Sequence, residues 1–351
     1  MEQISKPDAA AIRHARSQNP KLRERDLATQ LGVSEGEFLA AWCGRSVQRL
    51  KVDMDAIFGG LETVGEVMAL TRNESAVHEK IGTYTDYYGG KHASMMLGSE
   101  IDTRMFPKHF VHGFAVAKDT ENGTKHSLQF FDASGTATHK IHTRNATDLT
   151  QWQKLTENLL HEDQSTEFQC DTIAEPDIHP HPHTVAQELR QRWEKMTDTH
   201  QFVMILKKLG LSRHQAVSMI GDDFAWPLYA DGVAAMMRHA ANDALPIMCF
   251  VGSRGCIQIH SGPVKNIKPM GPWINIMDPT FHLHLRTDHI AEAWAVRKPT
   301  DKGHVTSIEA YDRQGNLIIQ FFGKRIEGQD ERESWRFIIE NLPRATNMYA
   351  A

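Results

Sequence analysis

The chain of 351 residues is one unit used twice, and its two halves align at a constant offset of 180. Gly82 falls on Gly262, His109 on His289, Thr120 on Thr300, Ser127 on Ser307 and Gly135 on Gly315. The run Phe114-Ala-Val-Ala-Lys118 falls on Trp294-Ala-Val-Arg-Lys298, and Phe131-Asp132 on Tyr311-Asp312. Upstream, Leu31-Gly-Val-Ser34 matches Leu209-Gly-Leu-Ser212 at an offset of 178. An offset that drifts so little marks a duplication, so the fold must be assembled from two copies of one unit.

Each copy opens with helical patterns. Asp26–Leu31 is followed by Ser34–Leu39, where Ser34 and Glu37 have the spacing of a capping box. In the second copy Phe202, Val203, Ile205, Leu206 and Leu209 have the spacing of one apolar helix face. Short strand-like runs follow in both copies. They are Glu66–Leu70, His112–Ala117, Ser127–Phe131 and Ala137–Ile141, then Ile247–Val251, Cys256–His260, Phe281–Leu285, Ala291–Val296 and Leu317–Phe322. Asp132-Ala-Ser-Gly135 and Asp312-Arg-Gln-Gly315 read as hairpin turns, because glycine tolerates positive φ. Many strands joined by short turns imply antiparallel sheet, so each unit is expected to be α+β. The expected organisation is a first repeat over residues 1–160, a polar linker over 161–187 containing His179-Pro-His-Pro-His183, and a second repeat over 188–351.

Net charge is −5, which argues against non-specific binding to nucleic acid or anionic lipid. No apolar run approaches the ~18 residues of a membrane span, and the first residues lack the apolar core of a signal peptide. Cys43, Cys170, Cys249 and Cys256 form no C-x-x-C and read as reduced thiols. A cytoplasmic protein, not membrane-embedded, is expected. The 20 histidines raise the prospect of a metal or cofactor.

Several segments compete for function. Segment 26–39 imitates a DNA-binding helix-turn-helix, but Glu35 and Glu37 would repel phosphate, and the same turn recurs at Leu209. His179, His181 and His183 could hold a divalent metal, or could be solvated linker residues. His282 and His284 alternate on a strand and so share a face, with no third ligand at a convincing spacing. There is no phosphate-binding glycine loop and no nucleophile elbow. His200, in Met196-Thr-Asp-Thr-His200-Gln-Phe, sits near a helix start that Thr197 or Asp198 can cap. The positive helix end favours a neutral imidazole, the form that ligates iron, although a surface or capping histidine would look the same.

The His200 run, the Leu209-Gly-Leu-Ser-Arg213 turn, Ile247–Cys256, Arg297-Lys-Pro-Thr300 and Phe322–Gly328, taken with the repeat, resemble a known family. The chain is similar to haemin-degrading and haem-transport proteins of the HemS/HmuS/ChuS type, from about Asp26 to about Leu342. The resemblance implies a duplicated α+β fold with large antiparallel sheets, a haem cleft between the halves and haem as the bound group. It implies His200 as the axial iron ligand and Arg104 with Phe106 on the distal side. Arg213, Lys298 and Arg325 are implied as cations near the propionates, and Phe250 and Phe322 as pocket walls. Two positions depart from the family pattern. Phe322 stands where family members have tyrosine, and His214 where they often have glutamine.

A large apolar plane with two carboxylates and one iron needs such a set of aromatic walls, fixed cations and one imidazole. Arg104 either stabilises an anionic iron ligand during ring opening or simply holds haem, so carrier and enzyme both remain open. At the offset of 180 it aligns with His284, so one principal haem per chain is expected. His78 and His92 are candidates for a second, weaker site or are plain surface histidines. The implied partners are an inner-membrane haem importer as donor and a haem oxygenase or reductase as acceptor or electron source. The competing class is a non-haem binding protein or a DNA-associated regulator using segment 26–39.

Overall fold

A computed structural model of the chain describes residues 6–121, 123–172, 183–325, 330 and 332–345. Two compact units emerge. One comprises Met1–Arg72, Glu79–Glu175 and Gly252–Gln258, the other Asn73–His78, Pro176–Val251 and Ile259–Ala351. The units thus depart from the sequence halves in two short segments. Asn73 Nδ2 donates to Ile318 O at 2.8 Å and Ser75 Oγ lies 3.0 Å from His289 Nδ1, which ties the first segment to unit two. Phe106 N donates to Gly255 O at 2.8 Å and Ser253 Oγ to Thr138 O at 2.7 Å, which ties the second to unit one.

The first half runs α1 (Ala9–Gln18), α2 (Glu24–Gln30), α3 (Glu35–Ala40), β1 (Val47–Leu50), α4 (Met54–Gly60), β2 (Gly65–Arg72) and β3 (Ala76–Gly82). It continues with β4 (Tyr87–Tyr88), β5 (Ser94–Leu97), β6 (Asp102–Met105), β7 (His112–Thr120), β8 (Gly123–Phe131), β9 (Ala137–Thr147) and α5 (Leu149–Asn158). The second half repeats the plan with α6 (His183–Glu194), α7 (Gln201–Leu209), α8 (Arg213–Met219), β10 (Ala225–Leu228), α9 (Gly232–Asn242), β11 (Ile247–Gly252) and β12 (Cys256–Gly262). It ends with β13 (Ile267–Met270), β14 (Trp273–Met277), β15 (Phe281–Arg286), β16 (Glu292–Thr300), β17 (Gly303–Tyr311), β18 (Leu317–Gly323) and α10 (Glu333–Glu340). The strands make two large sheets of nine strands each. Antiparallel runs β1-β7-β8-β9-β2 and β10-β16-β17-β18-β11 are the same arrangement in the two copies, as are the meanders β4-β5-β6 and β13-β14-β15.

The registers carry the repeat to the residue. Met68 pairs with His142 as Met248 pairs with Phe322, and Val47 pairs with Val116 as Ala225 pairs with Val296. Both hairpin turns form as expected, with Gly135 at φ +77° and Gly315 at φ +75°. A Cβ on Gly135 would stand 2.1 Å from Ser34 Oγ, so the turn also needs glycine for close approach to the α3 cap.

Alternation along the strands gives every sheet face its own core. In unit one Phe58, fully buried, lies within about 6 Å of Tyr84, Phe110 and Phe130, and β2, β8 and β9 add Val67, Leu128 and Ile141. The opposite face packs Phe114 and Phe131 against Leu39 and Ala40 of α3. In unit two α9 and α10 cover Ile308, Ile319 and Phe321 on one face, while α6, α7 and α8 bring Leu189, Trp193, Phe202 and Val217 onto Trp294, Val296 and Tyr311 on the other.

Several expectations are answered here. Ser34 and Ser212 each close a capping box, with Glu37 and Gln215. α3, the second helix of the helix-turn-helix-like segment 26–39, has six residues and none is exposed, so the helix that would read a groove presents no exposed face, while Asp26, Thr29 and Gln30 of α2 are exposed. Val203, assigned to the apolar face of α7, instead points outward with 59% exposure, whereas Phe202 and Ile205 are buried. His183–Gln187, taken as linker, belongs to α6, where Leu189 and Trp193 supply the buried stripe that the polar start concealed. Residues 179–182 of the histidine-proline run lie outside the described residues. The four cysteines are free thiols. Among the described residues no helix is long and apolar enough to cross a membrane.

Candidate functional site

One face of the unit-two sheet carries Phe250, Lys298 and Phe322 of the expected site residues, and Arg213 reaches it from α8. Ser307 stands opposite Phe322, Glu309 opposite Gln320, and Phe250 opposite Gln320. Strand alternation therefore turns Lys298, Glu309, Tyr311, Gln320, Phe322 and Phe250 to the same side. The rings of Phe250 and Phe322 meet edge to face, 5.0 Å apart at 67°, and both are half-buried. They form a short aromatic wall beside the part of the face that α6 to α8 cover.

A single carboxylate organises the covered part. Glu309 is fully buried. Its Oε1 accepts from Arg213 Nη1, Lys298 Nζ and Ser307 Oγ at 3.0 Å each and from Gln320 Nε2 at 2.9 Å, and its Oε2 accepts from Tyr311 OH at 2.5 Å. Burial alone would raise the Glu309 pKa, but the charges of Lys298 and Arg213 and the Tyr311 hydrogen bond outweigh it and hold the carboxyl well below its ordinary range. Both cations also lie over the Phe202 ring, Arg213 Cζ at 4.9 Å and Lys298 Nζ at 4.8 Å from its centroid.

This geometry differs from the expectation for Lys298. Lys298 is 4% exposed and its charge is matched by Glu309, so it is not an open cation waiting for a ligand. Arg213 keeps 26% of its side-chain surface and remains reachable.

His200 occupies the cap position just before α7, where the chain has already turned helical with φ −69° and ψ −24°. Asp198, not the histidine, does the capping work. Its Oδ1 accepts from His200 N and lies 2.7 Å from His200 Nδ1. Those hydrogen bonds, the backbone one first, pull the Asp198 pKa down, and the Arg325 charge acts in the same direction. The ring is 95% exposed. A carboxylate on Nδ1 fixes the tautomer in which Nε2 carries the lone pair, so the outward nitrogen is ready to bind a metal. His214 is differently engaged, with Nε2 2.9 Å from Glu292 Oε2 and its ring 5.1 Å from that of Tyr311.

Arg104 and Phe106 belong to unit one. Arg104 Nη1 donates to Asp102 Oδ1 two residues back on β6 and to Thr103 O at 3.2 Å, and the side chain is 34% exposed. Burial raises the Asp102 pKa while Arg104 opposes it. Phe106 is half-buried ahead of a 3-10 turn over Pro107–His109.

The other histidines divide clearly. His78 is not a surface residue. It is fully buried with its ring 4.9 Å from Phe281. His92 is exposed. His282 and His284 do share a face of β15, with His284 Nδ1 2.6 Å from Asn275 Oδ1. Among the described residues no group of three or more His, Cys, Asp or Glu is arranged to hold a metal ion. Sequence reasoning missed Glu309. The available signal was an acid at an inward position of Val305-Thr-Ser-Ile-Glu-Ala-Tyr311, where strand period places the apolar and hydroxyl-bearing residues.

Comparison with known proteins agrees with the resemblance. The model of the haemin-degrading HemS.ChuX domain matches residues 32–159 and again 210–342, once in each repeat. The hemin transport protein HemS of Yersinia enterocolitica is 37% identical over 329 residues, 93% of this chain and 95% of that one. The crystal structure of holo-PhuS, a heme-binding protein from Pseudomonas aeruginosa, superposes with a TM-score of 0.90 at 40% identity, covering 96% of this chain and 98% of that one. ChuS, described as an E. coli heme oxygenase, gives 0.85 at 36% identity, covering 93% and 98%. The chain therefore belongs to the haemin-degrading HemS/ChuX domain family.

Proposed function

We propose that this protein binds one haem through the open face of unit two and passes it on within the cytoplasm. The observation that carries the reading is the His200 imidazole, held by Asp198 through Nδ1 with Nε2 turned to solvent. The residues present fit the group. A single outward imidazole can ligate iron, the Phe250 and Phe322 rings offer an aromatic wall, and Arg213 and Arg325 supply cations that a propionate can reach. Lys298 contributes at one remove, by holding Glu309 ionised beneath Arg213. For Arg104 and Phe106 of unit one, a distal role rests on the family resemblance alone. The relatives support haem as cargo, being described as a hemin transport protein and a heme-binding protein. The donor is an inner-membrane importer, and a haem oxygenase or reductase serves as acceptor or electron source.

A second reading, ring opening by the protein itself, rests on the relative described as a heme oxygenase. Haem would then be the substrate, and electrons would come from an external reductant.

Titration with haemin tests the binding. Wild type is expected to saturate at one haem per chain with a histidine-ligated ferric spectrum. His200→Ala should weaken binding and shift the Soret band, while His214→Ala should leave the band in place. An unchanged spectrum in His200→Ala would remove the assignment.

A further inference from the structure

The two repeats fill one equivalent place differently. In unit two Trp226 of β10 is 2% exposed, and two guanidinium groups lie over its indole, Arg297 Cζ at 5.2 Å and Arg344 Cζ at 4.8 Å from the ring centroid. Strand pairing places Gln48 of β1 at the position of Trp226, because Gln48 pairs with Ala115 as Trp226 pairs with Ala295. At the repeat offset Ala117 stands for Arg297. Unit one therefore lacks both the ring and one of its cations. A cavity of about 480 Å³ opens there, lined among others by Arg45, Gln48, Ala117, His126, Trp152 and Gln153. That volume lies within the range of small-molecule sites.

The lining states what would fit. None of its residues is Asp or Glu, although the chain has 44 acids against 39 Lys and Arg. Arg45 and the half-buried His126 bring cationic or donor groups, and Gln48 and Gln153 bring further donors. Ala115, Ala117 and Trp152 add apolar lining. A flat ring against that lining with its acid group turned to Arg45 would restore what the second repeat builds from its own side chains.

We infer that this cavity is a binding site for a planar aromatic carboxylate, distinct in place from His200 and independent of the haem assignment. The probe is 2-naphthoate, with neutral 2-naphthalenemethanol as its comparison, followed by isothermal titration and saturation-transfer NMR on the full chain. Naphthoate is expected to bind with a Kd on the order of 0.1 mM, as the efficiency of small ligands allows. The alcohol and the Arg45→Ala variant should each bind about tenfold more weakly, the cost of one charge-assisted hydrogen bond. Gln48→Trp, which rebuilds the filled state of unit two, should abolish binding without lowering Tm. Where Gln48→Trp proves misfolded, Ala117→Leu fills the same space and is read identically. His200→Ala should leave naphthoate binding unchanged. Absence of binding at millimolar naphthoate, or binding that the folded cavity-filling variant leaves intact, overturns the site, and equal affinity for acid and alcohol overturns the anionic class.

Discussion

Glu35 and Arg213 hold the same place in the two repeats and carry opposite charge. Each is the first residue of a helix behind a serine cap, Glu35 in α3 after Ser34 and Arg213 in α8 after Ser212. Their partners are inverted to match. Glu35 pairs with Lys140 of β9 and Arg72 of β2, whereas Arg213 pairs with Glu309 of β17. The aromatic wall has diverged as well, since Leu70 and His142 stand in the first repeat where Phe250 and Phe322 stand in the second. Among the described residues, the place that Arg213, Phe250 and Phe322 take in the second repeat is taken in the first by Glu35, Leu70 and His142, so the two repeats are not equivalent there.

The inverted pair makes the first repeat acid-sensitive. Burial raises the Glu35 pKa, but Lys140 and Arg72 outweigh it and hold the carboxyl at about 2 against an ordinary 4.5. A depressed folded pKa stabilises above the unfolded value and loses that contribution as pH falls through the folded one. Stability should therefore decline between about pH 4.5 and pH 2, with Glu35 contributing about 3 kcal/mol at neutrality. Glu35→Gln should lower Tm at pH 7 and converge on wild type near pH 2. Parallel Tm curves for the two proteins across that window would show that Glu35 is not responsible.

Glu309 is the corresponding centre of unit two, and its loss should be costlier. Glu309→Leu would leave Arg213 and Lys298 without their shared counter-charge in a covered face. Removing one partner of a buried pair typically costs about 3–5 kcal/mol. Urea unfolding should show that loss at unchanged m-value. Haemin should restore more stability to Glu309→Leu than to wild type, because a propionate can take the vacated place beside Arg213. A smaller thermal shift with haemin in the variant would count against propionate contact at Arg213.

Asp198 should tune the metal site without being a ligand. In Asp198→Asn an oxygen can still accept from His200 Nδ1, but the negative charge on that acceptor is lost. Supporting groups of this kind are typically worth about 10–100-fold in metal affinity. Haem release to apo-globin should accelerate by that range while the ferric spectrum keeps its histidine-ligated form. A spectrum identical to that of His200→Ala would mean that Asp198 does more than orient the ring.

The duplication, the hairpin glycines and half of the eighteen described strands were legible in the sequence because each follows from local pattern: fixed offset, turn chemistry, apolar alternation. β17 escaped notice although its alternation is clear, since Ser307 and Glu309 replace apolar residues on its inward face, and the charges that match Glu309 come from α8 and β16. The same non-local satisfaction hid the state of Lys298. Its position was readable from the family motif, but its burial against Glu309 depends on strand register. His78 looked like a surface residue because a polar side chain in a short run gives no hint of the Phe281 ring that covers it. The cavity at Gln48 required comparing what the two copies place at one point of the sheet.

Arg104 separates carriage from ring opening. In the described unit it is held by Asp102 on the same strand, a half-exposed pair in which the arginine can exchange its partner for an anionic ligand. An arginine that stabilises charge developing during a reaction affects rate more than ground-state affinity. If the protein opens the haem ring, Arg104→Ala should slow product formation on the order of 10²-fold, against about tenfold in haem affinity. Affinity is read from haem loss to apo-globin, and product from absorbance with ascorbate or a reductase, with catalase present to remove free peroxide. Comparable losses in rate and affinity would make Arg104 an anchor for haem and nothing more. Wild-type protein that yields no product with catalase present, yet hands haem to an acceptor, would rule out the enzymatic reading and leave the carrier.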